Sequence, residues 1–440
     1  MKKIIVGLLF IITVAGVGAP LVSGLVMEKI VKQSFSNLNT MYADTGSGVS
    51  IEIMDYDRKF SSTEMSWKMK LGRLNSIYGV DEIIFVDRAE HGLTGIVSTT
   101  SLEKNKWFTE LVNNKLAGKN PLTITTEYTF TGQINSTVTV TAFSVPVEGE
   151  LVEIKAGRAV FSCDKDVKNF SSEASWEGFA VSDKLTVDGV VLSSALERLS
   201  TYLWDGTFSF GIEKCRIEGA VEQVELVGYK SDYSFDVESE EGTISIVAAF
   251  GADQLLAGAE KVDNGFVRIG VINLDTQGFE EFIKLYTQMA NSALQEIAAA
   301  ENDPEELKTI LHKQLARTRL QLMTAFEKLL KKGLEFQVSE LYGQLPSGEV
   351  KGDAVLSLNK DMTLAQFVPL VHQPELILEI FSLRSDMHLP AQLVGDNPML
   401  LTPFAKGMST GLFVKEGEKL SHQAETRDGR LYLNGREVQL

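Results

Sequence analysis

The sequence predicts an α+β fold that is mostly antiparallel β: an extended twisted sheet with a covering helical hairpin, plus one N-terminal transmembrane helix. Three observations predict it. An uncharged run of 23 residues, Ile4 to Val26, follows Lys2 and Lys3. Apolar and polar residues then alternate with a period of two over many short segments, as in a sheet with one wet face. Finally, two apolar stripes at helical spacing lie between Thr276 and Gly333.

The N-terminal run is long enough to be a membrane anchor. About 20 apolar residues span a bilayer, whereas the core of a signal peptide has about 7–15. The alternative is a cleaved signal, but the candidate cleavage sites after Ala19 and Gly24 fit poorly. Because Lys2 and Lys3 favour a cytoplasmic N-terminus, we expect a single-pass inner-membrane protein with the bulk of the chain in the periplasm. Residues 4–26 would contact the lipid bilayer, and an amphipathic continuation from Glu28 to Tyr42 would complete an anchor helix over residues 1–43.

Residues 44–275 are predicted to form a β-rich periplasmic region. Alternation is clearest at Met65, Trp67, Met69 and Leu71, which are separated by polar residues. A helix is predicted over Glu103–Leu116, and a weaker helical pattern covers Val191–Leu203. Four pairs are of the type that suits two-residue hairpin turns, because both residues tolerate positive φ. These pairs are Asp188-Gly189, Asn264-Gly265, Asp428-Gly429 and Asn434-Gly435.

Residues 276–440 are predicted to hold the helical hairpin and a C-terminal β region. Asp303-Pro304-Glu305-Glu306 supplies an N-cap and a first-turn proline for the second helix of the hairpin. Lys331-Lys332-Gly333 ends that helix with favourable charges and a C′ glycine. Strands are expected again from Leu334 to Leu358 and in a closing hairpin at the C-terminus.

The composition excludes some classes of partner. With 59 acidic and 42 basic residues in 440, the net charge is −17. Nucleic-acid phosphates would repel such a chain, and it has no basic run interleaved with aromatic residues, so we expect no nucleic-acid partner. Envelope proteins or lipids remain as partners, and a homo-oligomer is compatible with the sequence.

The two cysteines, Cys163 and Cys215, fall in strand-like segments. In an oxidising periplasm they could form one disulfide that closes a loop of about 50 residues, worth about 4 kcal/mol on a loop-entropy model. Two buried, unpaired thiols are an equally good interpretation, since free cysteine is a common core residue.

No convincing catalytic, cofactor or metal site is found in the sequence. The five histidines are not spaced as metal ligands. Gly407-Met408-Ser409-Thr410-Gly411 matches the pattern of a nucleophile elbow, but the strand before it, the helix after it and the later acid and histidine are missing, so we interpret it as a small-residue loop. Asp55-Tyr56-Asp57-Arg58 is interpreted as a surface ion pair or turn rather than as an acid–base site.

Several motifs, in order along the chain, resemble those of the YdgA family of bacterial inner-membrane and periplasmic proteins, a domain of unknown function. The similar segments are Val49 to Arg58 with Phe60-Ser61-Ser62, His91-Gly92, Asn273-Leu274-Asp275, and Gly429 to Gly435. Lys59 and Leu93 depart from the family, which tends to glycine and proline there. The resemblance implies a membrane-attached protein that faces the periplasm, and it implies no catalytic residues.

The sequence therefore favours a membrane-anchored periplasmic envelope protein, non-catalytic and engaged in interaction or assembly. The alternative is a protein that binds or handles lipids or other hydrophobic ligands. In that case the helical hairpin would cover an apolar groove, and Phe282 and Phe326, one on each helix stripe, are the candidate lining residues.

Overall fold

The computed structural model describes residues 24–59, 62–75, 79–91, 95–129, 131–147, 149–219, 223–299, 304–366, 376–396 and 406–438. Most of the predicted membrane span, residues 4–23, lies outside these ranges. The described chain opens with helix α1 (Gly24–Asp44), which confirms the amphipathic helix predicted from Glu28 to Tyr42. None of the helices in the described ranges is both long and apolar enough to cross a membrane, so membrane anchoring stays a prediction.

Contacts divide the chain into two compact units. The first comprises residues 1–208 and 283–319, and the second comprises residues 209–282 and 320–440. Every strand pairing that is described is antiparallel, as the sequence predicts. The predicted division at residues 43 and 275 stays a prediction; residue 275 is the last residue of a long strand and precedes a helix.

The strands of the first unit are β1 (Ser50–Arg58), β2 (Ser62–Lys70), β3 (Glu82–His91), β4 (Gly95–Ser101), β5 (Leu122–Thr129), β6 (Gln133–Val140), β7 (Phe143–Val147), β8 (Glu150–Ile154), β9 (Gly157–Asp164), β10 (Asn169–Val181) and β11 (Leu185–Arg198). Helix α2 (Lys106–Lys115) lies between β4 and β5 in the sequence and confirms the helix predicted over Glu103–Leu116. The strands pair in the order β1-β2-β3-β4-β5-β6-β9-β10-β11, and β8 joins β7 to β10.

One face of this sheet is buried together with α1. The apolar side chains Val31, Phe35 and Leu38 of α1 belong to the same buried cluster as Trp67 and Phe85 of β2 and β3. The ring planes of Trp67 and Phe85 are stacked with centroids 4.1 Å apart. The first unit therefore has a filled apolar core.

The strands that follow are β12 (Trp204–Glu218), β13 (Gln223–Glu238), β14 (Thr243–Ala257), β15 (Glu260–Asp275), β16 (Glu335–Leu345), β17 (Gly348–Leu358), β18 (Phe381–Pro390), β19 (Val414–Glu416), β20 (Lys419–Arg427), β21 (Arg430–Leu433) and β22 (Arg436–Val438). The second unit holds β13 to β22. They pair in the order β13-β14-β15-β16-β17-β18-β20-β21-β22, with β19 also on β20.

The predicted helical hairpin is confirmed as two consecutive helices, α3 (Thr276–Ala299) and α4 (Pro304–Leu329). Helix α4 begins at Pro304, as predicted; Asp303 lies outside the described residues. The first part of α3 and the last part of α4 belong to the second unit, and the remainder of both helices belongs to the first. Two short helices follow, α5 (Ile377–Ile380) and α6 (Ala391–Asp396).

The prediction of a helix over Val191–Leu203 is wrong, because most of this segment belongs to strand β11. Its neighbour β10 pairs with it from Asn169↔Glu197 to Val181↔Leu185. The β-branched pair Val190-Val191 suits such a strand. A partner strand close by in the sequence thus overrides a weak helical pattern.

Two of the four predicted hairpin turns are confirmed. Asp428-Gly429 and Asn434-Gly435 connect β20 to β21 and β21 to β22, with φ between 48° and 75°. The other two predictions are wrong: Asp188-Gly189 lies within β11, and Asn264-Gly265 lies within β15 at a register shift against β16. Positive φ suits a bulge as well as a turn, so the dipeptide alone does not separate the two.

Candidate functional site: an uncovered apolar face in the second unit

Six strands of the second unit, β13 to β18, bring mostly apolar residues into three rows on one side of the sheet. In each row the residues are direct cross-strand partners, and alternate residues along a strand share a side. We call the following positions the apolar face: Phe235, Ile246, Val271, Phe336, Leu356 and Leu383; Tyr233, Ala248, Ile269, Val338, Ala354 and Ser385; Ser231, Phe250, Val267, Leu341, Gly352 and Met387.

The apolar face is far more exposed than the core of the first unit. Ile269 and Phe336 expose 42% and 39% of their surface, and most other members of the face are half-buried. In the first unit, by contrast, Trp67, Phe85 and Ile124 are completely buried. The same alternating pattern therefore ends in a closed core in one unit, and in the other it ends in an apolar face that the described residues leave partly exposed.

The opposite side of these strands is polar. It carries Asp232, Asp236, Arg268, Glu340, Asp353 and Arg384. Most of these side chains are exposed, and two of them form an ion pair at 4.0 Å, from Arg384 to Asp353. The sheet thus has one polar side and one apolar side. Apolar residues are segregated to one side of the sheet, although that side is exposed.

Buried clusters close both ends of the apolar face. At one end the strands continue to Ile244, Leu274 and Leu358, all 7% exposed or less. Four residues at the end of α4 and just after it are also buried: Ala325, Leu329, Leu330 and Leu334. They come shortly before β16 in the sequence. At the other end, Leu389 and Leu420 pack with Val350, Met387 and Phe413. The uncovered part is therefore a bounded strip rather than a wholly exposed sheet.

Phe282 and Phe326, the predicted lining residues, are in contact with each other. Their ring centroids lie 6.4 Å apart, and Phe326 is 38% exposed. Two more apolar residues of α4, Leu320 and Met323, are exposed on the turns before it. The helical hairpin therefore presents apolar surface, and a role of these two phenylalanines in lining a ligand groove stays a prediction.

Both cysteines have free thiols in the structure, one in each unit. Cys163 lies on β9, where burial, together with the neighbouring Asp164, raises the pKa of its thiol to about 12. Burial also raises the pKa of Cys215. Neither is a reactive thiolate at neutral pH, and a disulfide between them remains open to a chemical test.

The residues around the serine of the elbow-like motif form a short helical turn. Residues 406–409 are helical, and Ser409 Oγ donates a hydrogen bond of 2.8 Å to the carbonyl oxygen of Lys406. The residues after Gly411 lead into strand β19 rather than into a helix. This local structure agrees with the interpretation as a small-residue loop.

The Asp55-Tyr56-Asp57-Arg58 segment forms the C-terminal end of β1, which is mostly exposed. Asp55 accepts a hydrogen bond of 3.0 Å from the backbone amide of Tyr56, and Asp57 lies 3.5 Å from Lys59. Nearby, His91 Nε2 lies 2.9 Å from Thr63 Oγ1. Among the described residues, no group of three or more His, Cys, Asp or Glu side chains is placed to hold a metal ion.

Two of the sequence motifs have structural roles. Asp275 Oδ1 accepts a hydrogen bond of 2.6 Å from the backbone amide of Gly278 and so caps α3. Asn273 has a φ of 61°, and its amide nitrogen donates to the carbonyl oxygen of Gly333. In the closing hairpin, Asn434 Nδ2 donates to the carbonyl oxygen of Gly411 at 2.8 Å. These hydrogen bonds connect strands and helix ends, so we interpret the motifs as structural. The apolar face is the stronger candidate site.

The sequence predicted strands with one apolar side, but it did not identify the members of the apolar face, because they come from six strands. Period-two alternation, as in Ser231, Tyr233 and Phe235, was a usable signal for each strand. That signal does not predict which strands pair, in what register they pair, or which residues pack against them.

A comparison with protein-family models matches residues 1–440 to the family described as "Bacterial protein of unknown function (DUF945)". The chain belongs to this family. No curated protein and no solved structure matches the chain. The family match covers both units, and its description assigns no activity. The candidate site of this DUF945 member therefore depends on its own residues.

Proposed function

We propose that this protein is a membrane-anchored envelope protein whose second unit binds a lipid acyl chain on the apolar face. The observation that carries the proposal is the exposure of Ile269 and Phe336 within rows of mostly apolar residues. Contiguous exposed apolar surface with a polar opposite side marks interaction or ligand sites. The proposed role is non-catalytic.

The dimensions of the face suit an acyl chain. Its rows cross six strands, and five spacings of about 4.8 Å give a length of about 24 Å. One leaflet of the hydrocarbon core is about 15 Å thick, so a row is long enough for an acyl chain lying across the strands. Each buried methylene contributes about 0.8 kcal/mol before ordering costs, and a chain on an open face buries about half of its surface.

The location is part of the same proposal. The uncharged run Ile4–Val26 behind Lys2 and Lys3 supports an inner-membrane anchor with the bulk of the chain in the periplasm. The finer resemblance to the YdgA family, carried by the Val49–Arg58 and Gly429–Gly435 motifs, supports the same location. An anchored protein of this kind would meet lipids at the membrane it is attached to.

The test uses the intact, detergent-extracted protein and a fluorescent palmitate that carries an anthroyloxy group. We expect the wild type to bind the probe and to co-purify with lipid, identified by mass spectrometry. Ile269→Asp should weaken probe binding by about tenfold or more, since a carboxylate must then be desolvated against hydrocarbon. Ser234→Asp, which places the same group on the polar side of β13, is the matched control and should leave binding unchanged.

Thermal unfolding of both variants separates binding from folding, because Ile269 is exposed enough for its substitution to cost little stability. A wild type that binds no probe and carries no lipid would refute acyl-chain binding. Equal losses in Ile269→Asp and Ser234→Asp would also refute it, since the effect would then not depend on the apolar face.

A second candidate function, interaction or assembly, is favoured by the exposed stripe on α4. Leu320, Met323 and Phe326 recur at a spacing of three residues, and Leu320 is 76% exposed. A second copy of the chain could cover this stripe. If so, Leu320→Glu should shift the protein to a smaller species in sedimentation velocity, and Arg319→Glu, an exposed neighbour, should not.

A further inference from the structure

A serine and a histidine form a hydrogen-bonded pair on the apolar side of the second unit. His422 Nε2 on β20 lies 2.7 Å from Ser385 Oγ on β18, and His422 Nδ1 lies 2.8 Å from the carbonyl oxygen of Leu412. A carbonyl oxygen only accepts hydrogen bonds, so Nδ1 carries the ring proton and the neutral ring accepts at Nε2. The Ser385 hydroxyl therefore donates to His422, and the contact with Leu412 fixes the orientation of the ring.

This pair lies at the end of the apolar face. Ser385 is the last member of the middle row, which also contains Ile269. Met387, the last member of the third row, pairs directly with His422, so the histidine extends that row onto β20. Residues two apart on a strand share a side, and both side chains are therefore on the side of the sheet that carries Ile269. An acyl chain that lies along the middle row toward β18 would end at the pair.

The immediate surroundings of the pair are apolar. Ser385 is 8% exposed, and Ala424, its direct partner on β20, is 1% exposed. The ring of Phe413 lies 5.5 Å from the ring of His422. A serine and a histidine at this place add little to hydrophobic burial. Apolar ligand sites typically contain a few polar groups of this kind, which fix the orientation of the ligand.

The charged residues on this side of the sheet are cationic. In the described strands β17 to β22, the register places Lys415 of β19 and Arg436 of β22 on the side of His422. The helical turn before β19 adds Lys406. Asp386 and Glu416 are on the opposite side of their strands. An anion bound at the pair would therefore meet no carboxylate from these strands.

A carboxylate is the group that suits this pair. Uptake of one proton at His422 Nε2 makes the ring a donor at both nitrogens, and the hydroxyl proton of Ser385 is then free to point to a ligand. The two donors match the two oxygens of a carboxylate. Charge-assisted hydrogen bonds are roughly twice as strong as neutral ones, whereas an ester group is neutral and would gain only the weaker kind.

We propose that Ser385 and His422 bind the carboxyl group of a long-chain fatty acid whose chain lies along the middle row of the apolar face. This inference rests on the proposed acyl-chain function and specifies its ligand as the free acid rather than an acyl ester. Leu412 holds the imidazole in position. The complex contains one proton more than the neutral pair and the carboxylate have when apart, and that proton is on His422 Nε2.

The experiment uses the intact, detergent-extracted protein and compares the anthroyloxy palmitate probe with its methyl ester. At pH 6 the wild type should bind the acid about tenfold more tightly than the ester, or better, because the ester lacks the charge-assisted hydrogen bonds. This preference should fall as the pH rises to 9, because fewer molecules then carry the extra proton on His422. Over this range Lys406, Lys415 and Arg436 keep their charge.

The outcomes separate this inference from the proposed function. If the acid and the ester bind equally well, or if the preference does not change with pH, the carboxyl site is overturned while acyl-chain binding stands. If neither probe binds, acyl-chain binding itself is refuted, and this inference with it.

Protein variants locate the effect at the pair. His422→Gln keeps a hydrogen-bonding side chain that cannot take up a proton, so it should abolish the pH dependence and most of the preference for the acid. Ser385→Ala should weaken binding of the acid and leave binding of the ester unchanged. His388→Gln is the matched control, because His388 is on the opposite side of β18, where it contacts Asp386 and Ser421; it should keep the preference and its pH dependence.

Equal effects of His422→Gln and His388→Gln on the preference would overturn the proposal. The preference compares two ligands on the same protein sample, so a loss of folded protein does not imitate the expected result. The comparison on the wild type tests the proposal even if a variant fails to fold.

Discussion

Trp67 Nε1 donates a hydrogen bond of 2.5 Å to Oδ2 of Asp87 inside the core of the first unit. The other carboxyl oxygen accepts from Thr100 and, at 3.4 Å, from Ser98. Asp87 is 4% exposed and has no cationic partner in this cluster. Burial raises the pKa of Asp87, although the three hydrogen bonds act to lower it. Its neutral form can donate to a hydroxyl of Thr100 or Ser98 while it accepts from Trp67.

This arrangement makes the stability of the first unit depend on pH in a defined direction. A raised folded-state pKa means that the contribution of Asp87 is complete below its unfolded pKa of about 3.9 and is lost as pH rises through the folded-state value. Asp87→Asn keeps both kinds of hydrogen bond without the charge. We expect it to match the wild type in urea unfolding near pH 4 and to become relatively more stable as pH rises to 8.

Asp87→Ala is the contrasting variant. It leaves Trp67 Nε1 and a hydroxyl without partners in a closed core, and each such group costs about 1–3 kcal/mol. It should therefore be less stable than the wild type at every pH. If Asp87→Asn lowered the stability as much as Asp87→Ala does, and did so equally at pH 4 and pH 8, the Asp87 carboxyl would be ionised and stabilising in the folded state.

Gly178 is predicted to be irreplaceable at its place on β10. It has a φ of 117°, and a Cβ there would lie 1.8 Å from the carbonyl oxygen of Val187 on β11. Gly178→Ala should therefore cost about 3 kcal/mol or more, since backbone atoms of two paired strands must move apart. Gly118→Ala, at a φ of 79° with nothing within 4 Å, is the control and should cost only about 1–2 kcal/mol. Similar losses in chemical denaturation would contradict the strand geometry around Gly178.

Asp275 is predicted to stabilise the start of α3 through its bond to the Gly278 amide. Asp275→Ala should lower the free energy of unfolding by about 1 kcal/mol. Asp275→Asn or Asp275→Ser should restore most of the loss, because either side chain can accept the same hydrogen bond. Gln277→Ala, an exposed neighbour, should be neutral. An alanine variant as stable as the wild type would exclude a capping role.

The two thiols are predicted to be free and unequal in reactivity. In denaturant without reductant, Cys163 and Cys215 should both be alkylated, as detected by mass spectrometry. In the folded protein Cys215 should react first, because the more deeply buried Cys163 has a thiol pKa of about 12. If neither residue is labelled in denaturant until a reductant is added, the chain carries the disulfide that the exported location permits.

The anchor and its orientation give a further prediction. A reporter that is active only in the periplasm, fused after Leu440, should be active, and sequencing of the mature protein should begin at Met1. The basis is the uncharged run Ile4–Val26 behind Lys2 and Lys3. An N-terminus at Pro20 or Leu25 would instead identify a cleaved signal.

The sequence by itself determined which segments would be helices or strands wherever the local signal was strong. Pro304 begins α4, Asp428-Gly429 turns a hairpin, and the alternation through Trp67 marks a strand with one buried side. These outcomes depend on residues close in the chain: a fixed proline φ, a tolerated positive φ, and side chains that point to opposite faces of a strand. The acidic composition was equally readable.

Only the tertiary structure decided which of these strands became neighbours and what covered them. Asp188-Gly189 has the composition of a turn but lies inside β11, because β10 pairs with β11 on both sides of that point. Ile269 and Trp67 both sit in alternating strands, yet one is exposed and the other is buried beneath α1 in a closed core. Burial depends on residues distant in sequence, and no local pattern contains their register. The apolar face of the second unit and the buried Asp87 of the first both arise from that long-range packing.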